Sequence, residues 1–340
     1  MNIRSTIGRV AAGENLSMDE MAAAIGAIVA GVCDDGEIAT LLTALRAKGE
    51  TVGEVAGAAL ALRREMTPIR THRTGLVDTC GTGGDGSRTF NISTAAAIVT
   101  AAAGVPVAKH GNRSITSRTG SADALAALGV NIGATVRQVE RCLDELGLCF
   151  CFAPLLHPSM KNVSAVRKKL GVPTIFNLLG PLSNPASAPF QVVGVGRDEL
   201  RPLLAAALQK LGTERSIVVR GDDGIDEVSL AGPTQVTLVE NGKLSEFTWT
   251  PEDFGLTRAD RSTMLVDSPD QSATIIRRVL AGDWGSARDI VVLNAAAALW
   301  TTRRDSSPRA CAALAARVID SGAAAKLLAE LAALSNAAVG

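Results

Sequence analysis

Four short segments carry the residue types that hold phosphate and metal. The first, Gly81-Thr82-Gly83-Gly84-Asp85-Gly86, follows an apolar run and stands before an Ala-rich one. Glycines let backbone amides come close to a ligand, and a following helix N-terminus offers unpaired N–H groups to an anion. The six residues also fit the dinucleotide fingerprint GxGxxG, a weak pattern by itself. A dinucleotide site needs an acidic residue at the end of the next strand to hold ribose hydroxyls. Here that strand, VPVAK, ends at Lys109-His110, which suits a phosphate and counts against NAD. The GK[ST] ending of a Walker loop is missing, so an ATPase of that kind is disfavoured. A tight turn with no ligand remains the plain alternative for this loop alone.

The second segment, Asn91-Ile92-Ser93-Thr94, reads as the first turn of a helix, with Asn91 as N-cap and the Ser93 and Thr94 hydroxyls available to a phosphate. The third runs from Lys109 to Ser121 and includes His110, Gly111, Asn112, Arg113, Ser114, Ile115, Thr116 and Ser117. Its cations and hydroxyls suit an anionic ligand with many acceptors, although a solvated loop has the same composition. The fourth, Gly221-Asp222-Asp223-Gly224-Ile225-Asp226-Glu227, is acidic and follows the apolar run SIVVR. Mg²⁺ is commonly held by one or two carboxylates plus substrate phosphates, so this loop could complete a metal-pyrophosphate site; a solvated acidic turn is the alternative. The histidines, His72, His110 and His157, are too far apart in sequence to suggest a histidine metal site.

The elements that would position these segments fall into two textures. Up to about Met66 the pattern is helical: Ser17 with Glu20 and Thr51 with Glu54 fit capping boxes, and the run after Asp35 stops at Gly49. From Thr74 onward short apolar runs (GLVDTC, VPVAK, QVVGV, SIVVR) alternate with helical stretches at 92–103, 122–128 and 200–211. Such alternation predicts an α/β fold with a mostly parallel central sheet flanked by helices. The expected units are a small N-terminal helical domain over 1–72, which part of 165–190 could join, and a larger α/β domain over 73–340. The Pro/Asn-rich passage from Asn177 to Pro189 reads as a connection between them. Nothing after Thr248 suggests a catalytic motif.

Composition narrows the classes further. The chain has 340 residues with 34 basic and 34 acidic side chains, so no bulk charge draws it to nucleic acid or an anionic membrane. Its start lacks the apolar core of a secretory signal, and the Ala-rich stretch from Thr94 to Ala108 is short for a bilayer span. Six scattered cysteines without a CxxC pair suggest buried thiols, not disulfides or a zinc ribbon. The expectation is a soluble cytoplasmic protein.

GTGGDG, NIST, KHGNRSITSRTGSAD, FAPLLHPSMKNVSAVRKKLG, FNLLGPLSNPA and GIDEVS stand in an order and spacing that resembles the anthranilate phosphoribosyltransferases. The helical segment ALRAKGET is similar to that family as well, so the likeness covers most of the chain to about Leu230. The resemblance implies a nucleoside-phosphorylase-like fold, a homodimer formed through the helical domain, and a substrate cleft between the domains. It further implies that the phosphoribosyl group of phosphoribosyl pyrophosphate is transferred to the amine of anthranilate. By position, Gly81, Gly84, Asp85, Thr89, Asn91 to Thr94, Lys109 to Ser117 and Ser121 correspond to the family's phosphoribosyl pyrophosphate site. Ser93, Asp226 and Glu227 correspond to its Mg²⁺ ligands. Gly81, Asn112 and Arg167 correspond to its anthranilate contacts, with His110 and His157 near that pocket. No general acid or base is assigned. Pro173 replaces a common arginine and Ser159 a common alanine, departures that bear on substrate affinity more than on reaction type. The competing readings are a pyrimidine nucleoside phosphorylase and a non-enzymatic nucleic-acid-binding relative, with an NAD oxidoreductase further off.

Overall fold

The computed structural model describes residues 3–113 and 119–338. Four helices open the chain: α1 (Ile3–Ala11), α2 (Met18–Val29), α3 (Asp35–Lys48) and α4 (Val52–Glu65). Both expected capping boxes are formed. Ser17 Oγ accepts from the Glu20 amide while Glu20 accepts from the Ser17 amide, and Thr51 and Glu54 repeat the exchange. A third box starts α3, but its cap is Asp34 and not Asp35, because Asp34 pairs reciprocally with Glu37 three residues on. Glu54 does more than cap. Fully buried, its carboxylate also accepts from the Leu16 amide at 3.0 Å and from Lys48 Nζ at 2.9 Å, tying the α1–α2 linker and the end of α3 to the start of α4.

The larger unit is a seven-stranded sheet of β1 (Val77–Gly81), β2 (Val107–Gly111), β3 (Leu148–Phe152), β4 (Phe190–Gly194), β5 (Arg215–Gly221), β6 (Thr234–Glu240) and β7 (Lys243–Trp249), in the order β3-β2-β1-β4-β5-β6-β7. The first five are mutually parallel, and β6 and β7 are antiparallel. The helices linking and covering them are α5 (Ile92–Ala102), α6 (Ser121–Ala127), α7 (Val136–Leu146), α8 (Ala153–Leu156), α9 (Lys161–Leu170), α10 (Leu200–Lys210), α11 (Pro269–Leu280), α12 (Ser286–Thr301), α13 (Pro308–Asp320) and α14 (Ala323–Asn336). This is the mostly parallel α/β architecture with a helical N-terminal unit that the alternation predicts.

Successive strand residues point to opposite faces, so each strand serves two cores. Val192, Ile217 and Val219 join a core with α5 and α11 to α14, while Val193 and Val218 join the other with α10. That second core is continuous with the helical unit and takes in Val163, Val166, Ile175, Phe176, Leu179 and Leu182. The β6–β7 hairpin turns on Asn241 and Gly242, at φ 51° and 68°, the left-handed pair that a two-residue turn demands. Behind it, Phe247, Trp249, Phe254 and Trp300 meet edge to face, and the Arg215 guanidinium lies 3.9 Å from the Trp300 ring centre. No described helix is long and apolar enough to cross a membrane.

Candidate active site

The chain leaves β1 toward β2 on one side and leaves β4 toward β5 on the other, so the carboxyl ends of β1 and β4 form the switch point where open α/β sheets collect ligands. Gly81 and Gly194 are partners there. Their lack of side chains admits the acidic loop that follows β5: a Cβ on Gly194 would lie 1.7 Å from the Asp226 carbonyl oxygen, and one on Gly81 2.7 Å from Asp226 Oδ2. The glycine loop then closes on that carboxylate. Gly83 donates its amide to Asp226 Oδ2 at 3.1 Å, and Thr82 donates to the Gly194 carbonyl at 2.9 Å. Gly83, Gly84 and Gly86 all have positive φ, a backbone that L side chains adopt at a cost.

One buried cation and three carboxylates set the local field. Glu227 Oε1 accepts from the Ser93 amide at 3.1 Å at the start of α5, and Lys109 Nζ lies 3.2 Å from Ser93 Oγ. The buried Lys109 ammonium also donates to the Thr79 carbonyl. Asp226 is pushed well above the usual carboxylate range by burial, then by the negative charge of Asp85 and Glu227. Burial likewise raises Glu227 to about 7, against the pull of Lys109. Carboxylates crowded in this way are stabilised by a divalent cation, so the donor set fits Mg²⁺. Among the described residues no three His, Cys, Asp or Glu side chains are grouped so as to hold a metal ion by themselves. Asn91 does occupy the N-cap of α5, but its side chain caps no amide; Oδ1 accepts from the Thr94 hydroxyl instead. The Ser93 amide that a cap would take belongs to Glu227.

Thr89 Oγ1 meets Ser87 Oγ at 3.1 Å, and Arg113 is paired with Asp123 at 2.8 Å on the surface. The Asn112 carbonyl accepts from the Ala122 amide and the Ser121 hydroxyl, which brings α6 against the end of β2. Ser114, Ile115, Thr116 and Ser117 lie outside the described residues.

The remaining candidates are two histidines and an arginine on α9. His110 and His157 are buried with ring centres 5.1 Å apart, and His110 Nδ1 meets the Gly180 carbonyl at 2.9 Å. Burial lowers His110 to about 4, and burial with the neighbouring His110 lowers His157 to about 3. Both rings are therefore neutral at pH 7, polar enough to accept or donate a hydrogen bond and too weakly basic to hold a proton. Among the described residues, none makes a well-formed hydrogen bond to His110 Nε2 or to either His157 nitrogen. Arg167, on α9, lies 5.5 Å from the Phe176 ring centre and 3.4 Å from Asn177 Oδ1. Among the described residues it has no carboxylate partner within 4.0 Å, so a structural ion pair does not account for it. Arg46 donates to the carbonyl of Pro173 at 3.2 Å, and Ser159 Oγ is buried with no hydrogen-bond partner among the described residues.

Several residues here are not singled out by sequence. Asp78 is buried on β1, accepts from the His110 amide at 3.0 Å and from Asn184 Nδ2 at 2.8 Å, and is raised by burial to about 6. Asn184 also donates to the Ala108 carbonyl, which ties the Pro/Asn-rich passage to β2. A charged residue inside the apolar run GLVDTC is the available signal. Gly194 offers one as well, in QVVGV.

Residues 4–66 match the family described as "Glycosyl transferase family, helical bundle domain", and residues 73–325 match "Glycosyl transferase family, a/b domain". A helical bundle domain followed by an α/β sheet domain defines a glycosyltransferase of this two-part class. An anthranilate phosphoribosyltransferase of Moorella thermoacetica is 49% identical over 96% of this chain and 96% of its own length. The solved anthranilate phosphoribosyltransferase of Thermus thermophilus is 41% identical and superposes with a TM-score of 0.93 over 99% of this chain and 100% of that one. The Saccharomyces cerevisiae enzyme in complex with PRPP and Mg is 29% identical, with a TM-score of 0.89 over 98% of this chain and 97% of that one. The chain belongs to the anthranilate phosphoribosyltransferase family, enzymes of L-tryptophan biosynthesis that transfer the phosphoribosyl group of phosphoribosyl pyrophosphate to the amine of anthranilate. The phosphorylase, nucleic-acid-binding and NAD-dependent readings fall away with that membership.

Proposed function

We propose that two sets of residues take the two substrates. Gly81, Gly84, Asp85, Thr89, Asn91 to Thr94, Lys109 to Arg113 and Ser121, joined on sequence alone by Ser114 to Ser117, take phosphoribosyl pyrophosphate, with Ser93, Asp226 and Glu227 holding Mg²⁺. Gly81, Asn112 and Arg167 take anthranilate, with His110 and His157 near that pocket. The observation that carries this reading is the acidic pair bound to the glycine loop and to the amide of Ser93, where a metal would meet pyrophosphate oxygens.

Departure of pyrophosphate leaves positive charge on the ribose ring and negative charge on the leaving group. Mg²⁺, when bound, supplies charge neutralisation to that leaving group. The chain's own part is positional: Lys109 and the amides of the α5 turn face negative charge, and a fixed 5-phosphate orients the ring. Anthranilate brings a neutral aromatic amine, and two neutral histidines can orient it without taking its proton.

The reading includes a homodimer through the helical unit. An open groove of about 590 Å³ between α1 and α3, lined by Ala11, Ala39, Ala44 and Ala47 together with the polar Thr40, Thr43 and Lys48, supports a partner surface there. Six free cysteines and phosphorylated substrates suit the cytoplasm.

Anthranilate loss followed by fluorescence, with phosphoribosyl pyrophosphate and Mg²⁺ present, tests the assignment. Asp226→Ala and Glu227→Ala are expected to cut turnover sharply while the melting temperature stays near the parent's, since each removes one of several crowded carboxylates and leaves the apolar Ile225, Val228 and Leu230 of the same loop in the core. The same Mg²⁺ dependence in parent and double variant would remove both residues from the metal site.

A further inference from the structure

α12 is buried along nearly its whole length, and between Ile290 and Leu299 its side chains are apolar except for one amide. Burying an amide without partners is costly, so Asn294 must be satisfied by something specific. The partner is the loop that carries the acidic pair. Asn294 Oδ1 accepts the Val228 amide at 2.9 Å, and Nδ2 donates to the Val228 carbonyl at 3.0 Å and to the Ile290 carbonyl at 2.9 Å. The side-chain amide thus grips both polar groups of one residue, as a neighbouring strand would, and is itself held by its own helix. Two opposed hydrogen bonds fix the rotation of the backbone as well as its position.

Val228 directly follows Glu227, and its own side chain is buried. The pair is therefore held from two sides. In front, Gly83 and Ser93 donate to the Asp226 and Glu227 carboxylates; behind, Asn294 holds the next residue. Asn294 also lines the same small cavity as Thr79, Ser93, Asp226 and Glu227. We infer that Asn294 is a positioning residue for the metal site: it sets the register of the β5–β6 loop so that both carboxylates face the glycine loop and the α5 turn. The inference rests on Asp226 and Glu227 being the metal ligands. It gives the C-terminal helices a part in the reaction that no sequence motif there announces.

Mn²⁺ binding in the presence of pyrophosphate, read by electron paramagnetic resonance, tests this without turnover. Outer groups that orient metal ligands commonly matter by roughly 10- to 100-fold in affinity, and Asn294→Leu is expected to weaken Mn²⁺ binding by that factor. Asn294→Ser, which puts a shorter hydroxyl in place of the amide, is expected to fall between Leu and the parent and carries the test should the leucine variant not fold. The Mg²⁺ concentration for half-maximal turnover should rise in parallel, with the KM for anthranilate within about two-fold of the parent. Leu293→Ala serves as the comparison, because it removes packing from the same helix and leaves the Asn294 hydrogen bonds to Val228 in place.

Unchanged Mn²⁺ binding in folded Asn294 variants, beside weakened binding in Glu227→Gln, would overturn the inference and leave the metal assignment standing. Equal weakening by Leu293→Ala would overturn it too, as general loosening. Failure of both Asn294 variants to fold would make the residue structural. Parent-like binding in Glu227→Gln and Asp226→Asn would sink the metal assignment itself, a separate result.

Discussion

Arg167 is the residue whose loss should separate the two substrates. Its guanidinium is partly buried, stands near an aromatic ring, and has no carboxylate partner among the described residues. A planar carboxylate suits it through two parallel hydrogen bonds that a lysine does not reproduce. Hydrogen bonds to charged groups contribute about 1.5 to 3 kcal/mol, so Arg167→Ala is expected to lower kcat/KM for anthranilate by roughly 10- to 150-fold. Affinity for phosphoribosyl pyrophosphate should hold. Calorimetric titration with each substrate checks this, and comparable losses for both would return Arg167 to a structural role. At this scale the sequence is most readable where residue type alone restricts chemistry, as in the glycine run, Lys109 and the acidic pair. It is least readable where a side chain's meaning depends on a distant partner. Asn91 reads as a cap, yet the amide it should serve is taken by Glu227, 134 positions on.

The junction of β4 with the β5–β6 loop shows how closely two elements approach. A Cβ at position 194 would meet backbone on all sides that matter: the Asp226 carbonyl oxygen at 1.7 Å and its carbon at 2.6 Å. Backbone cannot rotate away as a side chain can, so Gly194→Ala must push the loop outward. Misplacement by about 1 Å can cost roughly 100-fold in rate, and that is the expected fall in turnover. Near-parent activity in a folded Gly194→Ala protein would mean the loop is softer than its contacts suggest. Among elements, the helices α2, α3 and α4, the caps Ser17 and Thr51 and the strands β1, β2, β4 and β5 are legible, because capping boxes mark helix starts and apolar runs flanked by glycine encode buried parallel strands directly. β3 escapes such a reading although LCFCF is apolar, since five residues beside a helix give no period to read. The β6–β7 hairpin has a clear signal in Asn241-Gly242, but β7 is exposed along most of its length and so lacks an apolar pattern to support it.

The molecule as a whole is stitched by its second core, which runs from the helical unit through 163–182 to one face of the sheet. A weakness in the helical unit should therefore be felt by the entire chain. Glu54 is the place to test it. Burial alone would raise its carboxyl, but hydrogen bonds from the Leu16 amide, Lys48 and Thr51 outweigh burial and hold it below its ordinary value. A depressed folded-state value contributes stability above the unfolded value, and that stability is lost as pH falls through the folded one. Breaking a buried pair by removing one partner costs about 3 to 5 kcal/mol. Glu54→Ala is expected to destabilise a single melting transition by that amount at pH 7, with the gap to the parent narrowing under acid. Calorimetry showing two separated transitions would count against a shared core. The sheet's central strand has one more consequence, for synthesis. β1 pairs with β2 soon after it is made, but its other edge waits for β4, so Val77 meets Phe190 only after the intervening chain has been translated. At about 5 to 20 residues per second, that edge stays open for roughly 6 to 20 s on the ribosome. During that interval the middle of the future sheet is a sticky, unpaired border, and nascent chains that stall before Gly194 are the ones a cell's chaperones must cover.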